Sequence, residues 1–263
     1  MLERLKKELR EGFYTEVPFS LGRADLEKAA QAFISFLALP RELKEQFFYK
    51  IDPKDRGSNV GYLHKSRELG DLDDKEYFHY HILAEIKFSH LIYTGNQVVD
   101  DFFASARKVH FAAVSTLRKL MFWLEIDYPD IYEQFFPYGY NDLSQFYLRF
   151  LRYNAKPEGM VLAEGHYDRG GCTLALAESA PGLRIGKDSE SLRLVQRKDR
   201  SVIFMPGIHF PNLTNGDFAP AWHDAVSQEG DIPSEARWAI VFFANAHRLR
   251  LPTFEEAHTP KNK

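Results

Sequence analysis

His166-Tyr167-Asp168-Arg169-Gly170-Gly171-Cys172-Thr173-Leu174-Ala175-Leu176 is the stretch on which the reading of this 263-residue chain turns. Along an extended strand, side chains alternate faces, so residues two apart project the same way. His166 and Asp168 can therefore converge on one ion while Tyr167 points away. A third ligand has to come from a distant strand folded back alongside, which a double-layered antiparallel barrel supplies after several hairpins. His223, 57 positions further on (223 − 166), is a candidate. Two imidazoles and one carboxylate on one face of an octahedral metal leave the opposite face open, as suits non-heme Fe(II) and O2 chemistry. The pattern is weak by itself, because the chain has ten histidines and His79-Tyr80-His81 offers a second pair two apart.

The periodicity around this stretch sets the fold class. From Gln145 onward, Phe146, Leu148 and Phe150 alternate with Tyr147, Arg149, Leu151 and Tyr153, the mark of a strand with two distinct faces. Short β-like runs follow at 160–163, 172–177, 183–186, 192–195 and 201–204, separated by Gly, Pro, Asp and Ser turn signals. Trp238 to Ala244 is apolar almost throughout, as a strand covered on both faces would be. Short strands at this density predict a jelly roll, the double-stranded β-helix, over 145–252.

Residues 1–144 read as mainly helical. From Asp25, a candidate N-cap, Leu26, Ala29, Ala30, Phe33, Phe36 and Leu37 recur at three- and four-residue steps, and Pro40 opens a second, shorter helix. Val98, Phe102, Ala106, Val109, Ala113, Leu117 and Leu120 make a longer stripe, predicting seven or eight helical turns against a sheet. His110 beside it reads as a half-exposed or hydrogen-bonded side chain. The fold class is thus mainly β with flanking helices, in one domain over 1–263.

Composition bounds the function. A hydrophobic content of 44% over this length supports a substantial core. A net charge of −3 without a basic cluster argues against nucleic acid and for a small-molecule substrate. Cys172 is the only cysteine, which precludes an intrachain disulfide and reads as a small buried hydrophobe. Met1 to Lys7 is charged and lacks a signal-peptide core, and no apolar run approaches the roughly 18 residues of a membrane span. Cytoplasmic location is the expectation, and oligomeric state is not legible.

In order along the chain stand Leu151-Arg152-Tyr153, the 166–176 stretch, Pro181-Gly182-Leu183-Arg184-Ile185, and Thr214-Asn215-Gly216, seven residues before His223. Upstream are Phe36 to Lys44 (FLALPRELK), Gly61-Tyr62 and Asp74 to Phe78 (DKEYF). This order resembles the isopenicillin N synthase-like branch of the Fe(II)/2-oxoglutarate-dependent oxygenases, from about Gly12 to Pro252. The resemblance identifies His166, Asp168 and His223 as the iron ligands and catalytic centre. It also implies that Arg237 holds the far carboxylate of the cosubstrate 2-oxoglutarate, with Tyr153 as a second donor. The implied reaction is oxidative decarboxylation of 2-oxoglutarate to succinate and CO2, consuming O2 and coupled to hydroxylation, desaturation or cyclisation of a substrate. Arg169, Tyr62 and Phe243 are the expected substrate contacts.

The chain also departs from the family. The usual R-x-S becomes Arg237-Trp238-Ala239, losing a hydroxyl that assists the arginine. One neutral hydrogen bond contributes about 1 kcal/mol, so weaker 2-oxoglutarate binding is expected. The step from His223 to Arg237 is 14 residues (237 − 223), about four more than usual, an insertion assigned to Gly230-Asp231-Ile232-Pro233. Most of the first N-terminal strand region and a long C-terminal lid are expected to be missing, leaving a pocket that is open or closed by residues 50–95. The alternatives are an Fe(II) oxidase that takes its electrons from the substrate, a hydrolytic zinc site, and a non-catalytic jelly-roll binding protein.

Overall fold

The computed structural model describes residues 2–55, 58–66, 74–137, 145–154, 159–227, 236–247, 249 and 252–259. Its strands are β1 (Thr15–Pro18), β2 (Phe48–Lys50), β3 (Asn59–Lys65), β4 (Lys75–Tyr80), β5 (Phe146–Tyr153), β6 (Val161–His166), β7 (Cys172–Glu178), β8 (Leu183–Gly186), β9 (Arg193–Leu194), β10 (Ser201–Pro206), β11 (Trp222–Val226) and β12 (Arg237–Ala244). They form an eight-stranded sheet, ordered β1-β10-β7-β12-β5-β4-β3-β2, facing a four-stranded sheet, ordered β6-β11-β8-β9. Every pairing is antiparallel, and strands β5 to β12 are shared between the two sheets as a double-stranded β-helix requires.

The helices are α1 (Leu2–Gly12), α2 (Arg23–Leu37), α3 (Arg41–Lys44), α4 (Ile82–Lys87), α5 (Gln97–Leu124), α6 (Ile131–Phe135), α7 (Phe210–Leu213) and α8 (Phe254–His258). Helix α5, 28 residues long, starts where the Asn96 side chain accepts the Val98 and Val99 N–H groups. Helix α2 is flanked by extended Gly22 instead of by Asp25. Asp25 lies inside the first turn, and its carboxylate accepts the Gly22 N–H at 3.3 Å. Both helices cover the outer face of the large sheet. Phe33 meets Phe102 at 5.7 Å and Phe150 at 5.8 Å, and Phe36 meets Phe78 edge-on at 5.4 Å.

That packing assigns the faces. With Phe150 and Phe78 turned to the helices, alternation turns Tyr147, Arg149, Leu151 and Tyr153 of β5, and Tyr77 and His79 of β4, into the barrel. On β12, Ile240 and Phe242 join the helical core, while Arg237, Ala239, Val241 and Phe243 face inward. The β5 run follows the alternation expected from sequence, and β12 is covered on both faces, by the helical core and by the cavity side.

The N-terminal half differs from its helical expectation. It contributes β1 to β4, and β1 occupies the sheet edge beside β10, so the N-terminal strand region is represented. Both faces of β4 are aromatic and buried, which removes the polar alternation that signals a strand. His110 is buried and hydrogen-bonded, its Nε2 donating to the Phe146 carbonyl at 3.1 Å. Cys172 is buried, and burial pushes its thiol pKa up. Among the described residues, no helix is long and apolar enough to cross a membrane. The stretch Gly230-Asp231-Ile232-Pro233 lies outside the described residues.

Gly61 marks where β3 passes β2. Its φ of +93° disfavours other residues, and a Cβ would run into the Phe47 carbonyl oxygen, which accepts the Tyr62 N–H at 2.6 Å. Gly61→Ala is expected to destabilise the fold by about 3 kcal/mol, lowering Tm by roughly 6–12 °C in calorimetry. A Tm within about 2 °C of wild type would mean that this crossing is not under steric constraint.

Candidate active site

Strands β6 and β11 pair with His223 directly opposite His166, so the two imidazoles project from one face, ring centroids 4.4 Å apart. β6 ends at His166, and Asp168 follows in the turn, where its carbonyl accepts the Ile208 N–H at 2.9 Å. Tyr167 points away, as alternation requires, and meets the Trp222 ring edge-on at 5.0 Å. The Asp168 carboxylate then lies 3.6 Å from Nε2 of His166 and 3.6 Å from Nε2 of His223. All three ligand atoms fall within 4.8 Å of one another.

Hydrogen bonding presets these groups for a cation. Nδ1 of His166 donates to the Glu164 carbonyl at 2.7 Å and Nδ1 of His223 to the Ala221 carbonyl at 3.1 Å, turning both Nε2 lone pairs toward the carboxylate. Burial alone would raise the Asp168 pKa, but the imidazoles of His223 and His166 and the Thr173 hydroxyl, 2.5 Å away, together hold it well below the usual carboxylate range. Burial pushes His223 down despite the opposing pull of Asp168. A carboxylate held anionic beside two imidazoles is the donor set a divalent cation takes. Adjacent octahedral ligands at about 2.1 Å stand roughly 3 Å apart, so the two 3.6 Å carboxylate–imidazole spacings need only a small contraction.

α8 covers the outer side of the centre. Tyr167 N–H donates to the Ala257 carbonyl at 2.8 Å, and His258 stacks on His166 at 5.4 Å. A short helix thus stands where no long lid was expected.

Between the sheets lies a cavity of about 840 Å3 of empty space, its open mouth included. Arg237, Tyr153 and Ala239 line one end. Arg237 and Tyr153 are direct cross-strand partners, so both side chains point into it. Nη1 of Arg237 donates to the Pro181 and Val226 carbonyls at 3.0 and 2.8 Å, and Nη2 donates to Glu178 at 2.6 Å. Two of the five guanidinium N–H groups have no partner among the described residues, enough for a second carboxylate. Glu178 arrives through a β-bulge. The register slips between Ile240 and Val241 and sets Glu178 opposite Ala239, on the cavity side. The place of the family serine beside the arginine is thus taken by a carboxylate from the neighbouring strand. Burial raises the Glu178 pKa, and Arg237 pulls against that rise. Arg197 adds a third charged group, its Nη1 donating to the Leu176 carbonyl.

Phe243 stands six residues along β12 from Arg237, at the other end, opposite Thr173. It stacks with Tyr147 at 4.9 Å and 21°, and Tyr147 stacks with His81 at 5.0 Å and 12°.

Two expected substrate contacts are not brought to the cavity. Arg169 donates to the Pro252 carbonyl at 2.5 Å and pairs with Asp55 at 2.9 Å, tying the metal turn to the N-terminal half and to the chain before α8. Tyr62 faces the helices and donates to Glu76 at 2.6 Å. The rival pair His79 and His81 joins no metal cluster among the described residues. Both ring nitrogens of His79 are engaged, with the Asn59 carbonyl at 3.0 Å and Arg149 Nε at 2.8 Å. The residues not anticipated are Arg149, Glu178 and Arg197. Arg149 was open to detection because it shares its parity on β5 with Tyr153, whereas Glu178 depends on a bulge with no composition signal.

Comparison with known proteins agrees with this geometry. Residues 142–246 match the model of the 2OG-Fe(II) oxygenase superfamily. Among solved structures, the chain is similar to a full-length Neurospora crassa protein in complex with α-KG and 5-formyluracil, at 17% identity over 95% of this chain and 79% of that one, TM-score 0.72. It is also similar to JOX2 in complex with 2OG, Fe and JA, at 18% identity over 97% and 74%, TM-score 0.71. The rice dioxygenase for auxin oxidation follows at 17% identity over 93% and 77%, TM-score 0.66. At such identities these structures establish the fold. A search of curated proteins finds no match.

Two substitutions test whether the Arg237 end takes a 2-oxoglutarate carboxylate. A Cβ on Gly182 would overlap Arg237 Nη1 and the Val226 carbonyl, so Gly182→Ala is expected to weaken 2-oxoglutarate binding by at least about tenfold while Fe(II) affinity, read by calorimetry, stays unchanged. Glu178→Gln removes the anion already on Arg237, which a carboxylate bound there would meet. We expect binding tighter by about tenfold. Wild-type affinity should rise as pH falls from neutral toward the raised Glu178 pKa, because binding favours protonated Glu178, and the variant should lose this dependence. Equal affinities in wild type and Glu178→Gln would show that the two carboxylates do not meet.

Proposed function

Since residues 142–246 match the model of the 2OG-Fe(II) oxygenase superfamily, we propose that this chain is an Fe(II)- and 2-oxoglutarate-dependent oxygenase that oxidises a small organic substrate by hydroxylation, desaturation or cyclisation, releasing succinate and CO2. The observation that carries the reading is the His166, Asp168, His223 cluster, opening into a cavity with a partly unpaired guanidinium at its far end. The Neurospora crassa and JOX2 structures named above contain small molecules beside their cosubstrate, which supports a small-molecule substrate.

His166, Asp168 and His223 would hold the iron on one face, and bound Fe(II) supplies the activation of O2. Arg237, with Tyr153 beside it, binds and orients the distal carboxylate of 2-oxoglutarate. Thr173 fixes the Asp168 carboxylate, and the Glu164 and Ala221 carbonyls fix the two imidazole tautomers. Phe243, Val241 and Leu151 exclude water along the cavity floor. An Fe(II) oxidase that does not use 2-oxoglutarate is the second reading, favoured by the carboxylate of Glu178 already seated on Arg237.

Anaerobic titration of the apoprotein with Fe(II) and then 2-oxoglutarate separates the two. The visible charge-transfer band of the chelated cosubstrate is expected in wild type and absent in His223→Ala. Iron binding without a band would overturn the 2-oxoglutarate assignment and favour the oxidase. Bound metal with neither band nor oxygen uptake under any condition would point to a redox-inert site.

A further inference from the structure

One charged group in the cavity has no role in the chemistry above. Arg149 points into the barrel from the middle of β5, opposite Val241 of β12 and His79 of β4. Its Nε donates to His79 Nε2 at 2.8 Å, and His79 is fixed in turn by its Nδ1–H on the Asn59 carbonyl at 3.0 Å. Burial and the adjacent Arg149 cation hold His79 well below its ordinary pKa, so the imidazole is a neutral acceptor. The guanidinium carbon lies 4.7 Å from the Phe243 ring centroid and 5.4 Å from that of Tyr77. Four of the five N–H groups have no partner among the described residues, and no carboxylate there forms an ion pair with it. A part-buried guanidinium, clamped by a neutral imidazole and two rings and left without an anion, is a site built to receive one.

Register places this group relative to the metal. Asp168 is bonded to Thr173, which stands opposite Phe243, so the metal ligands lie toward the Phe243 end of the floor. Arg237 lies at the other end, with Tyr153 four residues along β5 from Arg149, about 13 Å. The two guanidiniums therefore serve different ends of one cavity. Beside Arg149 runs the flat stack of Phe243, Tyr147 and His81.

Resting on the oxygenase reading of this cavity, we propose that Arg149 binds a carboxylate of the primary substrate, an apolar-bodied small acid whose hydrocarbon part lies along Phe243 and Tyr147. A phosphate fits less well, because a dianion would want a second cation and Arg169 is already committed to Asp55.

The test uses the Fe(II)- and 2-oxoglutarate-loaded enzyme under anaerobic calorimetry, titrated with phenylacetate, cyclohexaneacetate and octanoate, each against its primary amide, and with phenyl phosphate. At least one acid is expected to bind at least about tenfold more tightly than its amide. Arg149→Gln should abolish that preference, and Arg149→Lys should keep part of it, with the charge-transfer band retained in both. The proposal fails if no acid binds, if acids and amides bind alike, or if phenyl phosphate binds best. It also fails if Arg149→Gln loses the band, which would make Arg149 a cosubstrate residue. A wild type without the band would fail the oxygenase reading instead, and the two failures are distinguishable. Should Arg149→Gln not fold, an acid preference in Arg149→Lys equal to wild type would count against the guanidinium fork.

Discussion

The direct pairing of His223 with His166 across β6 and β11 is the constraint from which the rest of the site follows. Two histidines far apart in sequence become neighbours on one face only if that register holds, and a slip by one residue would turn one ring to the other side of the sheet. Asp168 is then placed by a turn held through the Ile208 N–H and fastened to the opposite sheet by the Thr173 hydroxyl. The metal centre is thus a joint between the two sheets. Because β5 and β12 pair without interruption from Arg237 and Tyr153 to Ala244 and Phe146, every inward residue on that floor has a fixed station relative to the joint.

The cavity holds charge under low-dielectric conditions, and each charged group is managed differently. Asp168 faces imidazoles and a hydroxyl. Asp224, also on the wall, is neutralised by a two-point pair with Arg184 at 2.9 and 2.5 Å. Arg237 leans on two carbonyls and Glu178, while Arg149 leans on an imidazole and two rings. Carbonyls, imidazoles and ring faces solvate a cation without neutralising it. Glu178 offsets the charge of Arg237, so the floor is most attractive to an anion at Arg149, with Leu151, Ala239 and Val241 hydrophobic between the two guanidiniums.

Much of this was legible in the amino-acid order, for identifiable reasons. The clustering of His166, Asp168 and His223 could be read because strand alternation and the seven-residue step from Gly216 to His223 constrain them. The faces of β5 could be read because a strand between a helical core and a polar cavity alternates, whereas the apolar run of β12 showed only that both its faces are covered. β4 could not, since both of its faces are aromatic and buried, so its period of two is invisible in hydropathy. Tyr62 and Arg169 were expected at the pocket by position, but side-chain direction sends one to Glu76 beneath the helices and the other to Asp55. Tertiary partners decide such cases, and they belong to residues more than ten positions away.

The least legible feature, Glu178 at Arg237, is also the one that most alters the chemistry expected of the site. Loss of a hydroxyl at Ala239 looks from sequence like a simple weakening. In the fold, the bulge between Ile240 and Val241 exchanges the missing neutral group for an anion opposite the same alanine. That exchange resets the charge of the whole cavity. With Asp224 offset by its pair with Arg184 outside the cavity, Arg149, Arg197 and Arg237 stand against Asp168 and an ionised Glu178, leaving one positive charge in excess. A divalent iron would add two and a 2-oxoglutarate dianion would remove two, so one positive charge would remain when both are bound, and two where Glu178 takes up a proton. An anionic substrate lowers that excess and a neutral one does not. A partly desolvated cation left uncompensated is unfavourable in proportion to its desolvation, so Arg149, with no carboxylate partner among the described residues, favours an anionic substrate.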